Sequence, residues 1–349
     1  MPTSLDVCGL TVELPTSSGW VRPVNEVSFT LARGETLGIV GESGSGKTML
    51  SLALMGLEPH GARHQGEAWL HPRNAGANGN GTGNGGSSAS KHEANAANPD
   101  MPRENLLALS SEKMREVRGR EIAMIFQEPM TALNPVLRIG AQIEEAIRVH
   151  EPRTNANDIR RRALAAIERA ALSAPERRAR QYPHQLSGGL RQRVMIAMAL
   201  AAGPGVLIAD EPTTALDVTV QKQILELLAK LRRDLQLSMI FITHDLGVVA
   251  QVADRVAVMY AGRIIEEGPV SEVLQAPAHP YTQALLRAAP RLAREKLVPI
   301  PGTVPSLDSL PPGCAFAPRC PNRIPECDAA VPELRTVNTN HHARCILVP

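Results

Sequence analysis

A chain of 349 residues exceeds one typical domain, so a main unit of more than about 200 residues with an appendage is expected. Lys plus Arg (37) against Asp plus Glu (35) leaves a net charge of +2, too balanced for a nucleic-acid footprint, and aromatics at 3% require an aliphatic core. No apolar run approaches membrane-span length and Met1 to Leu10 lack a basic segment followed by an apolar one, so a cytosolic location is expected.

Leu5 to Leu14 and Val24 to Leu31 alternate apolar and polar residues with period two, which predicts two half-buried strands of an antiparallel sheet. Trp20 falls in the Ser/Gly turn between them, where its ring either stacks on an adenine or simply packs. Glu35 to Val40 reads as an apolar strand and Met49 to Leu57 as a helix. Between them Gly41, Glu42, Ser43, Gly44, Ser45, Gly46, Lys47 and Thr48 fit G-x-x-x-x-G-K-[ST], the P-loop spacing. In that strand–loop–helix context the glycines let backbone N–H groups curl around a phosphate chain at the positive end of the helix dipole. Lys47 then pairs with the β- and γ-phosphates, and the Thr48 hydroxyl completes a Mg²⁺ site. Alone, the pattern also arises by chance in Gly-rich loops.

Gly66 to Leu70 resumes a strand, and then the composition changes. Pro72 to Pro102 hold six Gly, six Asn and six Ala with hardly a large apolar side chain, too little burial to offset the entropy of ordering. Residues 71–104 are therefore expected to be a disordered insertion in a hairpin tip. Glu121 to Phe126 is a strand ending in Gln127, followed by a Pro-bounded loop from Glu128 to Pro135. Helical patterns occupy Ile139 to His150 and Ile159 to Ala171, the second with a solvated arginine face.

Tyr182-Pro183-His184 break the chain before a second glycine-rich turn. There Ser187, Gly188 and Gly189 open a helix running through Ala201, a second phosphate-binding nest. Val206 to Ala209 is a buried strand ending in Asp210-Glu211. Adjacent carboxylates in that position suit Mg²⁺ and water activation respectively, although a strand followed by a polar turn looks the same. A helix from Thr219 to about Leu235 and a strand from Met239 to Thr243 lead to His244, placed to reach a γ-phosphate where a lone histidine is otherwise structural. Strands at Arg255 to Tyr260 and Arg263 to Glu267 close the unit near Gly268.

Four of the five cysteines lie in the tail with spacing C-x₅-C-x₆-C-x₁₇-C, too open for a paired C-x₂-C zinc ribbon. In a reducing compartment they read as metal or cluster ligands, while Cys8 reads as buried structure.

With the P-loop, Gln127, the turn Ser187 to Gln192, the strand Val206 to Glu211, Ala215-Leu216-Asp217 and His244 in one order, the sequence resembles the ATP-binding subunit of an ABC transporter over about residues 4 to 270. The resemblance implies an α/β P-loop NTPase fold over residues 1–270, with an antiparallel β subdomain and a helical subdomain at 136–187, and a C-terminal extension over 271–349. A finer resemblance, to the oligopeptide/dipeptide importer class, rests on Pro212 to Thr219, on His279-Pro280-Tyr281-Thr282, and on Gly313 to Pro321 with Cys327 and Cys345 beyond. It implies ATP hydrolysis that energises peptide import. Nickel or another small solute is the alternative within the family, and a soluble non-transport ABC ATPase the alternative outside it.

The implied roles follow residue by residue. Lys47 and Thr48 hold phosphates and Mg²⁺, and Asp210 with Gln127 shares the metal. Glu211 polarises the attacking water and His244 stabilises γ-phosphate charge. The Ser187, Gly188, Gly189 and Gln192 turn caps the nucleotide of a second ATPase subunit. Gln127 and the adjoining Glu128 to Val136 face two transmembrane permease subunits. An extracytoplasmic solute-binding protein is an indirect partner, and the protein sits at the cytoplasmic face of the inner membrane. For the tail, the resemblance implies a [4Fe–4S] cluster on Cys314, Cys320, Cys327 and Cys345, with zinc or free thiols as the alternatives.

Overall fold

In the computed structural model, which describes residues 2–17, 19–72, 103–128, 132–214, 216–289 and 299–348, two sheets converge on the P-loop. Strands β1 (Thr3–Thr16) and β2 (Gly19–Ala32) pair as a long antiparallel hairpin, and β3 (Thr36–Val40) leads into the helix Lys47–Leu54. β4 (Arg63–Leu70) and β5 (Glu104–Asn105) complete a four-stranded sheet in the order β2-β1-β4-β5. The insertion expected at 71–104 lies, for residues 73–102, outside the described residues.

The second sheet takes up β3 with β6 (Ile122–Ile125), β7 (Val206–Asp210), β8 (Ser238–Thr243), β9 (Arg255–Tyr260), β10 (Arg263–Pro269), β11 (Arg335–Asn338) and β12 (His341–Ala343). Its order is β11-β12-β10-β9-β3-β8-β7-β6, parallel from β9 to β6 and antiparallel beyond. Every residue of β3, β7 and β8 is buried, as befits parallel strands covered on both faces and written as unbroken apolar runs. The core at that centre is mostly aliphatic, with Phe241 of β8 buried among the Ile, Leu and Val side chains.

A helical layer, Ile139–Arg148, Ala156–Arg169 and Pro175–Ala179, packs beside the start of Gly188–Leu200. Ile139, Ile143 and Ile147 recur every four residues and are fully buried in one cluster with Ile159, Ala163 and Ile167. Arg160, Arg161 and Arg169 lie on the exposed face, as expected, but Arg162 is drawn in to Glu151.

Several boundaries differ from expectation for local reasons. The P-loop helix starts two residues earlier than predicted because Gly46, at φ 103, caps it, and it ends by Leu54 where Gly56 turns left-handed at φ 57. Trp20 is not in a turn but near the start of β2, opposite Pro15. Helices Ser111–Val117 and Leu246–Val252, capped by Ser110 and Asp245, are too short for periodicity to reveal. Cys8, expected to be buried, is exposed.

The strand ladder crosses the boundary expected at residue 270. β12 pairs with β10, Glu266 opposite Ala343 and Glu267 opposite His342, so the extension lengthens the main sheet. The fully buried Glu266 carboxylate accepts hydrogen bonds from the Ala278 and His279 amides at 2.7 and 2.9 Å and lies 2.7 Å from His341 Nε2. No helix among the described residues is long and apolar enough to cross a membrane.

Candidate functional site

Chain geometry makes two of the P-loop glycines obligatory. A Cβ at Gly41 would lie 2.1 Å from the Met259 carbonyl oxygen of β9, and one at Gly46 would lie 1.9 Å from the Pro23 carbonyl oxygen of β2. The loop is therefore wedged between the two sheets. Inside it the Lys47 ammonium donates to the Gly41 and Glu42 carbonyls, both at 2.9 Å, and to Ser45 Oγ at 3.2 Å. Burial pulls the Lys47 pKa down, while the Glu211, Asp210 and Glu42 carboxylates act in the opposite sense. Ser43, Gly44 and Thr48 are exposed, so the open rim of the loop consists of small residues.

β7 delivers Asp210 and Glu211 beside this loop. Burial pushes the Asp210 carboxyl up to about 6, and a hydrogen bond with the Thr48 side chain works against that shift. Asp210 Oδ1 is buried with no hydrogen-bond partner. An orphaned carboxylate oxygen next to a threonine hydroxyl is a donor set of the hard-oxygen kind that suits Mg²⁺, so the residues fit the ion. Glu211 adopts φ 45, the left-handed region, and its amide donates to the Ile242 carbonyl of β8. Three side chains converge on Glu211 Oε2: the Thr214 hydroxyl donates at 2.7 Å, Gln127 Nε2 at 3.4 Å, and His244 Nδ1 stands 3.3 Å away. The His244 contact first, then that of Thr214, hold the Glu211 carboxyl below its usual range, and the same contact raises His244. Asp245 caps the helix after His244 through the Gly247 and Val248 amides, which fixes the backbone at that point.

Lys47, Thr48, Gln127, Asp210, Glu211 and His244 thus form one neighbourhood. Among the described residues, the side chains of Ser187 and Gln192 make no hydrogen bond to it. Ser187 and Gly188 are exposed, and Ser187 makes no side-chain cap bond to its helix. Gln192 is 2% exposed with Nε2 unpartnered, so it faces inward rather than toward a ligand at the surface. Trp20 is 45% exposed, with the Arg63 guanidinium 4.0 Å from its ring centroid.

Residues 24–214 match the profile of the family described as ABC transporter, and residues 265–327 match that of the oligopeptide/dipeptide transporter C-terminal region. The chain belongs to the ABC transporter family. This ABC ATPase is 48% identical over 350 residues to a putative peptide import ATP-binding protein of Brucella melitensis, covering 98% of this chain and 96% of that one. It is 45% identical over 349 residues to the dipeptide transport ATP-binding protein DppD of Bacillus subtilis, covering 99% and 95%. Among solved structures it resembles the dimeric bacterial ABC transporter cassette MJ0796, with a TM-score of 0.59 at 26% identity over 76% of this chain and 98% of that one. The cbiO1 subunit of the Clostridium perfringens cbiONQ complex gives a TM-score of 0.59 at 25% identity over 79% and 92%.

The cysteine tail of the ABC ATPase departs from expectation. Cys327 is an electrostatic neighbour of Cys314, Cys320 and Cys345, and burial pushes those three thiols up. Yet among the described residues no group of three or more His, Cys, Asp or Glu side chains is placed to hold a metal ion. Four soft donors share one region, but they are carried by separate turns and strand ends and do not form a coordination shell. As arranged, they do not fit the expected cluster.

Sequence reasoning also missed three residues. Thr214 lies in the stretch that carried the family resemblance, and its hydroxyl three positions after Glu211 was the available signal. Tyr281 and Arg319 both reach Glu42, from 239 and 277 positions away, which no local pattern reveals.

Proposed function

We propose that this ABC ATPase is the nucleotide-hydrolysing subunit of a transporter that imports di- or oligopeptides. The observation that carries the reading is the match of residues 265–327 to the oligopeptide/dipeptide transporter C-terminal region, alongside near full-length similarity to proteins named for peptide import. Reconstitution with its permease pair and solute-binding protein tests it. Peptides should stimulate ATP hydrolysis, and stimulation by nickel instead would replace this reading with the nickel one.

Within the site, Lys47 and the P-loop amides bind the substrate's β- and γ-phosphates, and Thr48 with Asp210 holds Mg²⁺, assisted by Gln127. The ion, when bound, supplies positive charge to the phosphoryl oxygens. Glu211 is the general base. Its contacts with His244, Thr214 and Gln127 favour the ionised carboxylate, which takes a proton from the attacking water. His244, raised by the same contact, adds positive charge where negative charge grows. Trp20 is the candidate adenine-stacking ring.

Ser187 and Gly188 are exposed, Gly189 beside them is half-buried, and the Ser187 side chain makes no cap bond, which supports this turn completing the site of a second ATPase subunit. Gln192 of the same turn is buried with its Nε2 unpartnered. A cavity of about 550 Å³, lined by Leu57, Leu133, Val149, Met195, Met198 and the Phe126 that precedes Gln127 in the chain, suits an apolar permease segment. Residues 1–270 form the ATP-binding unit and 136–187 its helical part. The [4Fe–4S] proposal for the tail is supported by donor number and shared neighbourhood but opposed by their spacing. Anaerobic purification decides it: visible absorbance that Cys320→Ser removes favours the cluster, stoichiometric zinc the rival metal, and metal-free protein plain thiols.

A further inference from the structure

The P-loop is held from a second side by the extension. The Arg319 guanidinium grips the Glu42 carboxylate with both arms, Nη1 to Oε2 at 2.7 Å and Nη2 to Oε1 at 3.1 Å. Its Nε donates to the Pro301 carbonyl at 2.9 Å and Nη1 also reaches the Tyr260 hydroxyl at 3.3 Å, so the fork is oriented before it meets Glu42. The Arg319 side chain is only 4% exposed and that of Glu42 28%. The Tyr281 hydroxyl accepts the Glu42 amide N–H at 2.9 Å. That tyrosine is fully buried, its ring centroid 4.6 Å from Tyr260 and 5.3 Å from Phe316. Two of the chain's three tyrosines thus stand together here, in a protein with few aromatics.

Glu42 is therefore fixed at backbone and side chain by residues of the extension, and its carbonyl in turn accepts from Lys47. A carboxylate this near the P-loop lysine would repel an incoming triphosphate unless a cation neutralised it. Bidentate arginine is the pairing that combines neutralisation with a fixed geometry.

We propose that Arg319 and Tyr281 are positioning residues for nucleotide binding: they hold Glu42, and through it the Lys47 ammonium, in register for the phosphates, and Arg319 cancels the Glu42 charge. The inference rests on ATP being bound by this P-loop.

The test measures ATP dissociation constants, turnover and melting temperature on the full chain for Tyr281→Phe, Arg319→Met and the double variant Glu42→Gln/Arg319→Met. Tyr281→Phe keeps the ring in its cluster and removes one hydrogen bond, so affinity should fall about three- to tenfold with the melting temperature little changed. Arg319→Met leaves an uncompensated carboxylate beside the triphosphate, and affinity should fall about tenfold or more. Adding Glu42→Gln should recover most of that loss, a rescue that a merely structural arginine would not show. Each residue is judged by its own variant: wild-type affinity in Tyr281→Phe, or a loss in Arg319→Met that Glu42→Gln leaves untouched, overturns the role given to it. Where Arg319→Met does not fold, Arg319→Lys replaces it, and wild-type affinity there overturns the requirement for a fork. Failure of the wild-type chain to bind ATP would strike the P-loop assignment instead.

Discussion

In the turn from Gly41 to Thr48, two glycines are jammed against neighbouring strands, the lysine is bonded to its own loop, and the extension grips Glu42. In the turn from Ser187 to Gln192, Ser187 and Gly188 are exposed, the serine makes no cap bond, and a Cβ at Gly188 would meet only Leu216 at an ordinary 3.7 Å. Both are glycine-rich loops opening a helix, and a dipole argument treats them alike. The difference is that the first is closed in by this chain's own strands and extension, whereas Ser187 and Gly188 of the second face outward. On the function proposed above, the outward pair Ser187 and Gly188 would serve the site of a second subunit.

The largest test of that contrast separates chemistry from binding at the site of the first turn. Glu211→Gln should leave ATP affinity near wild type while single-turnover hydrolysis falls by about 10² to 10⁴, and Lys47→Ala should instead weaken ATP binding itself. A near-wild-type single-turnover rate for Glu211→Gln would reduce that residue to a strand-end carboxylate.

Next in size, Ser187→Arg should lower steady-state turnover by about 10², while ATP binding to the isolated subunit stays unchanged. Loss of binding in that subunit would mean that the second turn serves its own chain, and the contrast would break.

A smaller effect is expected on stability. Gly46→Ala should cost about 2 kcal/mol or more in urea unfolding, because the position is left-handed and a carbonyl blocks the Cβ. Gly188→Ala should stay within about 0.5 kcal/mol.

The smallest concerns the hydrogen bond from Thr214 to Glu211. Thr214→Val should slow turnover about three- to tenfold. Because that bond helps hold the Glu211 carboxyl below its usual range, its loss raises the pKa, and as pH falls activity should disappear at a higher pH than in wild type. An unchanged acid limb would show that Thr214 only packs.

Much of the central sheet could be read directly, since β3, β7 and β8 are unbroken apolar runs and polar residues mark their ends, which placed Lys47, Asp210, Glu211 and His244 at one edge. What local pattern could not give is contact between distant positions. Arg319 and Tyr281 read as tail residues, and only folding brings them to Glu42. β11, exposed at every position, carries no apolar periodicity, so the sheet's far edge was invisible. Cysteine count was plain in the sequence, whereas the separation of the four sulphurs depends on turns that spacing does not encode.

The buried Glu266 imposes an order on synthesis. Its carboxylate is seated by the Ala278 and His279 amides soon after β10 is made, but its contact to His341 must wait for a residue 75 positions later. Until then β10 offers the ribosome-bound chain an open edge on the side that β12 will cover, and an unpaired edge is where nascent proteins adhere to one another. A stalled or prematurely terminated chain ending between β10 and β12 should therefore be a substrate for chaperones rather than a smaller working ATPase, even with every residue of its phosphate loop already in place.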